Sequence, residues 1–242
     1  MNIEEIIWPC LLPTHLKTAL LDISVIVTDF SGIKINIDYL QLDGVFYIHS
    51  GNLLVGYSAE ETNTSLGTIF GQSTWLGSSS LFSTNNFIFL AEELTPIKML
   101  YFPKAKIESI AEQEPSLYKM LFEIMKQNAP RYLLSSLSFI HGKHIKLAYT
   151  LYNYLKLATN ETMFVPTALT ISQQQLSTIT GISRPRVNEV LKSFEKEGII
   201  YIQRGKVIVE DQKKLRKKFQ HINILSNVLV VKPMENSQVN YE

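Results

Sequence analysis

Between Ser183 and Lys196 the chain gathers side chains suited to one kind of chemistry, the recognition of an anionic, hydrogen-bonding surface. Val187, Val190, Leu191 and Phe194 recur at i, i+3, i+4 and i+7, so a helix here carries one apolar stripe. The opposite face then holds Pro185, Glu189, Lys192 and Lys196, flanked by Arg186, Asn188 and Ser193, with Arg184 projecting from the amino-terminal end. A guanidinium is a planar fork that fits a guanine edge or a phosphate. An ammonium is a point charge, and an amide offers a donor beside an acceptor. Gln174, Ser183, Arg204 and Lys206 complete the set of candidate nucleic-acid contacts.

The distribution of charge agrees with that chemistry. The 242 residues carry a net charge of only +1, yet residues 143–221 hold 14 Lys/Arg against 6 Asp/Glu, while residues 1–142 hold 8 against 14. Confined positive charge suits a phosphate-backbone binder, because neutralised phosphates release condensed counterions. A small-molecule-sensing or protein-interaction module of the same shape that no longer touches nucleic acid is the rival reading.

Other chemistries find little support. The five histidines have no metal-ligand spacing apart from His141 and His144, which lack further ligands nearby. One cysteine excludes an intrachain disulfide framework and cannot by itself hold an iron-sulfur cluster. There is no phosphate-cradling glycine loop and no nucleophile elbow, so neither an enzyme nor a cofactor is expected. Glu4 and Glu5 stand where a secretory signal would be positive, and no apolar run reaches membrane-spanning length. A soluble, cytoplasmic protein without membrane contact is expected.

Several elements must position these residues. Ser172 and Gln175 form a capping-box pattern that starts a helix near Gln173, and Gly181 permits the left-handed turn that ends it. Ser183 is expected to cap the next helix, with Pro185 in its first turn. Gly198 stops that helix, and Ile199–Ile202 with Val207–Val209 read as a two-stranded wing around Arg204 and Gly205. Upstream, Leu11–Leu21 reads as a helix with Leu16 and Leu20 inward, and Ile145–Leu157 as another with Leu147, Leu151, Tyr154 and Leu155 inward. From Val25 the period is two. Ile33, Ile35, Ile37 and Tyr39 alternate with polar residues, and short runs at Val45–His49, Leu53–Tyr57, Leu66–Phe70, Phe87–Ala91 and Ile97–Phe102 suggest a small antiparallel barrel or jelly roll. Lys104–Glu112 is a short helix. Pro115 opens a longer one whose stripe, Leu117, Met120, Leu121, Ile124 and Met125, is interrupted at Pro130 and re-phased through Tyr132 and Leu133.

The run from Leu176 through Thr180, Gly181, Ser183, Arg184, Val187, Leu191 and Gly198 to Ile199 resembles the DNA-binding domain of the CRP/FNR family of transcription regulators. Asp43–Gly51 is similar to the strand and glycine turn that open that family's sensor roll, so the resemblance extends from about Val25 to Leu215. It implies an α+β chain: an amino-terminal jelly roll of the cyclic-nucleotide-binding type over residues 1–114, a connecting dimer helix and hinge over 115–142, a winged helix-turn-helix over 143–221, and an extension over 222–242. That extension is an added strand or a dimer arm. The implied partners are double-stranded DNA bearing a pseudo-palindromic operator, a second copy of the chain, RNA polymerase as a candidate, and a small-molecule effector whose identity the resemblance does not give. Leu117, Met120, Leu121, Ile124, Met125 and Tyr132 are the implied dimer interface.

Where nucleotide-binding relatives of this kind have a Gly-Glu pair for the ribose and an arginine for the cyclic phosphate, this chain reads Gly71, Gln72, Ser73, Thr74, Trp75, and its first arginine is Arg131. Gly71, Gln72, Ser73 and Trp75 are thus expected to form a degenerate effector pocket that takes no cyclic nucleotide.

Overall fold

The computed structural model describes residues 3–28, 40–41, 44–59, 64–82, 88–138, 140–158 and 166–221. The strand expected over Ile33–Tyr39 and the extension 222–242 lie outside these residues.

After a single 3-10 turn at Ile3–Glu5, the amino-terminal half forms helix α1 (Thr14–Ile23), whose buried Leu16 and Leu20 sit one turn apart. Among the described residues eight strands follow: β1 (Val25–Val27), β2 (Leu40–Gln41), β3 (Gly44–Ser50), β4 (Leu53–Ala59), β5 (Thr64–Phe70), β6 (Thr74–Leu76), β7 (Ile88–Glu93) and β8 (Lys98–Pro103). They form two antiparallel sheets, ordered β1-β8-β3-β6 and β2-β7-β4-β5. Phe46, Ile48 and Met99 from the first sheet meet Leu53, Val55 and Phe70 from the second, which closes a roll with a filled interior.

The outer face of the first sheet is covered by helices. Val45, Tyr47, Leu100 and Phe102 pack against α1, α2 (Lys104–Ala111) and α3 (Ser116–Ser138). This arrangement corrects one expectation. Leu117, Met120, Leu121 and Ile124 lie in the chain's own core at 0, 1, 7 and 0 % exposure, because α3 turns its strongest stripe onto the roll. Only Met125 and Tyr132 of the six expected interface residues face solvent, on a second stripe that also holds Tyr118, Phe122 and Leu133. The helix runs unbroken through Pro130, although the proline supplies no amide proton to the ladder.

The carboxy-terminal part comprises α4 (Lys143–Ala158), β9 (Thr167–Thr170), α5 (Gln173–Thr180), α6 (Arg184–Lys196), β10 (Ile200–Gln203), β11 (Lys206–Val209) and α7 (Gln212–Lys217). The wing has three strands, not two, since β9 pairs along the free edge of β11 with Leu169 opposite Val207. Sequence pattern misses β9 because only Leu169 of its four residues is buried.

The two parts share a core. Leu54 and Ile69 of the roll join Leu147, Leu151, Leu176 and Ile179 in one cluster. Gly67 allows this approach, since a Cβ there would come 3.1 Å from the Val55 carbonyl oxygen and 3.6 Å from the Ile179 Cα. Polar contacts cross the same seam: Ser135 Oγ donates to the Gly67 carbonyl at 3.0 Å, and Gln175 Nε2 to Glu92 at 2.7 Å. Lys146 is buried there, and desolvation lowers its pKa to about 8. Among the described residues no helix is long and apolar enough to cross a membrane.

Candidate nucleic-acid interface

The recognition surface starts from the turn between α5 and α6. Both halves of the capping box are made at the start of α5: Ser172 Oγ accepts from the Gln175 amide at 3.1 Å, and Gln175 Oε1 accepts from the Ser172 amide at 2.8 Å. Since Gln175 also reaches Glu92, the same side chain ties the start of α5 to the roll. At the other end Gly181 adopts φ 61°, a left-handed value that ends α5 and turns the chain. Thr180 Oγ1 donates to the Leu176 carbonyl at 2.6 Å and accepts from the Ile182 amide at 3.3 Å, so the turn is fixed from inside.

Helix α6 follows with Val187, Val190, Leu191 and Phe194 all fully buried. Ser183 occupies the N-cap position, yet its side chain makes no capping hydrogen bond, which departs from the expected role. The Arg184 and Arg186 amide protons therefore receive no side-chain cap, Pro185 between them has none to offer, and all three residues are exposed. A helix start of this kind attracts anions through its unpaired amides and dipole.

The other expected contacts divide by environment. Gln174, Glu189, Lys192, Arg204 and Lys206 are exposed. Asn188 is half-buried and accepts from Gln173 Nε2 at 3.2 Å, so it braces α6 against α5 as well as lining the surface. Glu189 is held by Lys143, the first residue of α4, at 2.7 Å to Oε1 and 2.8 Å to Oε2. That hydrogen bond and charge hold the Glu189 carboxyl below its usual range. Sequence reasoning missed Lys143 and Gln173. Gln173 lies in the helix start it had located, but no local pattern links Lys143 to a residue 46 positions away.

The wing is positioned from both sides. Glu195 Oε1 accepts from the Ile202 amide at 2.9 Å, tying α6 to β10. The Gly205 carbonyl accepts from the Ile171 amide at 3.1 Å, which anchors the turn that displays Arg204 and Lys206. Behind the surface, Glu197 pairs with Lys218, and His144 meets the Phe194 ring edge-on. His144 is itself exposed, and among the described residues no group of histidine, cysteine or carboxylate side chains is arranged to hold a metal ion.

The expected effector pocket does not converge. Gly71 is buried, and a Cβ there would lie 3.3 Å from Leu157 of α4. Gln72 is exposed, whereas Ser73 takes φ 63° and donates its amide to the Ile48 carbonyl at 2.8 Å. Trp75 turns to the opposite side of the sheet. Its indole donates to the Ile7 carbonyl at 2.8 Å, and its ring lies 4.9 Å from Tyr47 and 5.3 Å from Phe102. The cause is β6: once Thr74–Leu76 pairs with β3, Trp75 must point away from the roll interior that Leu76 enters.

Comparison with known proteins places this geometry. Residues 146–218 match the Crp-like helix-turn-helix domain. A CRP-like cAMP-activated global transcriptional regulator of Mycobacterium tuberculosis is 23 % identical over 180 residues, covering 73 % of this chain and 80 % of that protein. The fold is shared with a CRP/FNR-family regulator of Thermus thermophilus, TTHA1359, at a TM-score of 0.62 and 20 % identity, covering 81 % of this chain and 98 % of the other. It is shared also with the c-di-GMP responsive global regulator CLP of Xanthomonas campestris, at a TM-score of 0.64 and 17 % identity over 81 % of this chain and 99 % of that one.

Proposed function

Because the chain is a transcription regulator of the CRP/FNR type with a helix-turn-helix DNA-binding domain, we propose that it acts as a homodimer on a pseudo-palindromic operator and takes no cyclic nucleotide. The observation that carries the reading is the start of α6, where Arg184 and Arg186 are exposed at an uncapped helix start on a helix braced from α5, α4 and the wing. In this reading α6 lies in the major groove, and two-fold symmetry sets the half-sites about 34–36 Å apart. We place the protein in the cytoplasm, with RNA polymerase as the protein partner of the DNA-bound form.

The dimer surface in this proposal is the exposed stripe of α3. Tyr118, Phe122, Met125 and Tyr132 are spaced by four, three and seven residues, the period of a coiled-coil seam, and are 48, 63, 52 and 37 % exposed. Such a stripe on a lone chain is an association surface.

Arg184 is the base-reading residue of the proposal, and Arg186, Lys192, Arg204 and Lys206 bind phosphate. Arg184→Ala should relax preference at one base pair by about 1–3 kcal/mol. Lys206→Ala should weaken all duplexes alike and reduce the salt slope of binding by about one. Duplex binding measured across a salt series tests the reading. A chain that shows no salt-dependent affinity for any duplex is instead a protein-interaction module.

A further inference from the structure

We infer that Glu189 reads a cytosine in each half-site, with Lys143 as the residue that positions its carboxylate. The inference rests on the proposed DNA-binding role of α6.

Glu189 lies one turn beyond Pro185 on the face of α6 opposite its buried stripe, and its side chain is 63 % exposed. It is the one carboxylate among the exposed contact residues of this helix, beside Arg184, Arg186 and Lys192. A carboxylate brought toward a duplex meets phosphate repulsion, so an uncompensated glutamate would oppose binding. Here the charge is compensated. Lys143 Nζ bridges both carboxylate oxygens from the start of α4, at 2.7 and 2.8 Å, and is itself only 32 % exposed. Each carboxylate oxygen has two acceptor positions, so those not used by Lys143 remain available on a side chain that is mostly exposed.

What such a group accepts from is set by base chemistry. An ionised carboxylate can only accept, and the Lys143 ammonium set against both of its oxygens favours that form. The guanine edge and the thymine O4 are acceptors in the major groove and repel it. Adenine offers its amino group beside the N7 acceptor, whereas cytosine offers its N4 amino group with no acceptor at its side. Cytosine is therefore the base that fits a fixed carboxylate. Neutralisation within the pair also removes Glu189 from the phosphate balance, so the glutamate adds selectivity without a large penalty in affinity.

The test is enrichment of bound sequences from a random duplex pool by the full chain and three variants, with the fold of each checked by circular dichroism. The wild type should enrich a cytosine at a fixed offset from the guanine expected of Arg184. Glu189→Gln should shift that position toward adenine, because an amide pairs with both N6 and N7, with the other positions unchanged. Lys143→Met should lose the cytosine preference by about tenfold at that position and bind all duplexes more weakly, whereas Lys143→Arg should retain it. Unchanged preference at every position in folded Glu189→Gln, or loss of binding in Lys143→Met without loss of cytosine preference, would overturn the inference. A wild type that enriches nothing would overturn the DNA-binding reading beneath it.

Discussion

Helix α6 and the Gly71–Trp75 segment both carry candidate binding residues close together in sequence, yet one keeps its groups together in space and the other scatters them. On α6 a single rotation per residue decides which side chains face out, and four buried apolar residues fix that rotation. Around Gly71 three different constraints act. Gly71 faces α4, Gln72 faces solvent, and Trp75 is drawn to the outer helices by the pairing of β6 with β3. A surface built on one helix survives divergence of its neighbours, because its geometry is local. A pocket built from strand ends depends on register and on what covers it.

The largest effect that bears on this contrast comes from α3, which supports the roll with one stripe and exposes another. Leu117→Ala should destabilise the folded chain by about 2–5 kcal/mol, since the side chain is fully buried in the cluster behind Trp75. Phe122→Asp should change stability little and shift the molecule from dimer to monomer. Denaturant titration and light scattering separate the two outcomes. A dimer that survives Phe122→Asp would move the interface away from the exposed stripe.

The same helix shows how far sequence reaches. Its apolar spacing was legible, and so were the turn around Gly181, the capping box at Ser172 and the outward face of α6, because each is set within a few residues. Which stripe of α3 meets the roll was not legible. Two apolar faces about a quarter turn apart differ only in what lies against them, and the roll that decides between them is remote in sequence. β9, the Lys143–Glu189 pair and the orientation of Trp75 were hidden for the same reason, since each depends on a partner many residues away.

A smaller effect should come from the seam that joins the two regions. Lys146 is buried there, with its pKa lowered to about 8 by desolvation, while the unfolded chain holds the proton to about 10.5. Between these values the unfolded state binds more protons than the folded one, so stability should rise with pH through about 8 to 10, with a slope on the order of 1 kcal/mol per pH unit. Above that range Tyr149 and Tyr154, raised to about 12 by burial, reverse the trend, because the unfolded chain then loses protons first. Lys146→Met should flatten the rise. Denaturant midpoints measured at half-unit pH steps check it, and an identical slope in the variant would assign the rise to another group.

The smallest expected effect is none at all: cyclic AMP and cyclic GMP should leave DNA binding unchanged. A cyclic nucleotide in a roll needs a carboxylate or equivalent acceptor for the ribose and a desolvated cation for the phosphate. Gln72 offers an amide in place of the carboxylate, and it faces solvent. The first arginine of the chain, Arg131, does come near this segment, with its guanidinium 5.9 Å from the centre of the Phe70 ring. It lies in the neighbourhood of Tyr132 and Tyr149, and burial lowers its pKa from the ordinary arginine value. That places it at the seam with α4, while the roll interior beside Phe70 is filled by Phe46, Ile48, Val55 and Met99. Seating a nucleotide would require displacing apolar side chains already at interior packing density, without a built ribose acceptor in return. Calorimetric titration with each nucleotide should give no binding heat. Submicromolar affinity for either one would mean that Arg131 leaves the Phe70 ring to meet a phosphate, and that the scattered residues around Gly71 reassemble when a ligand is present.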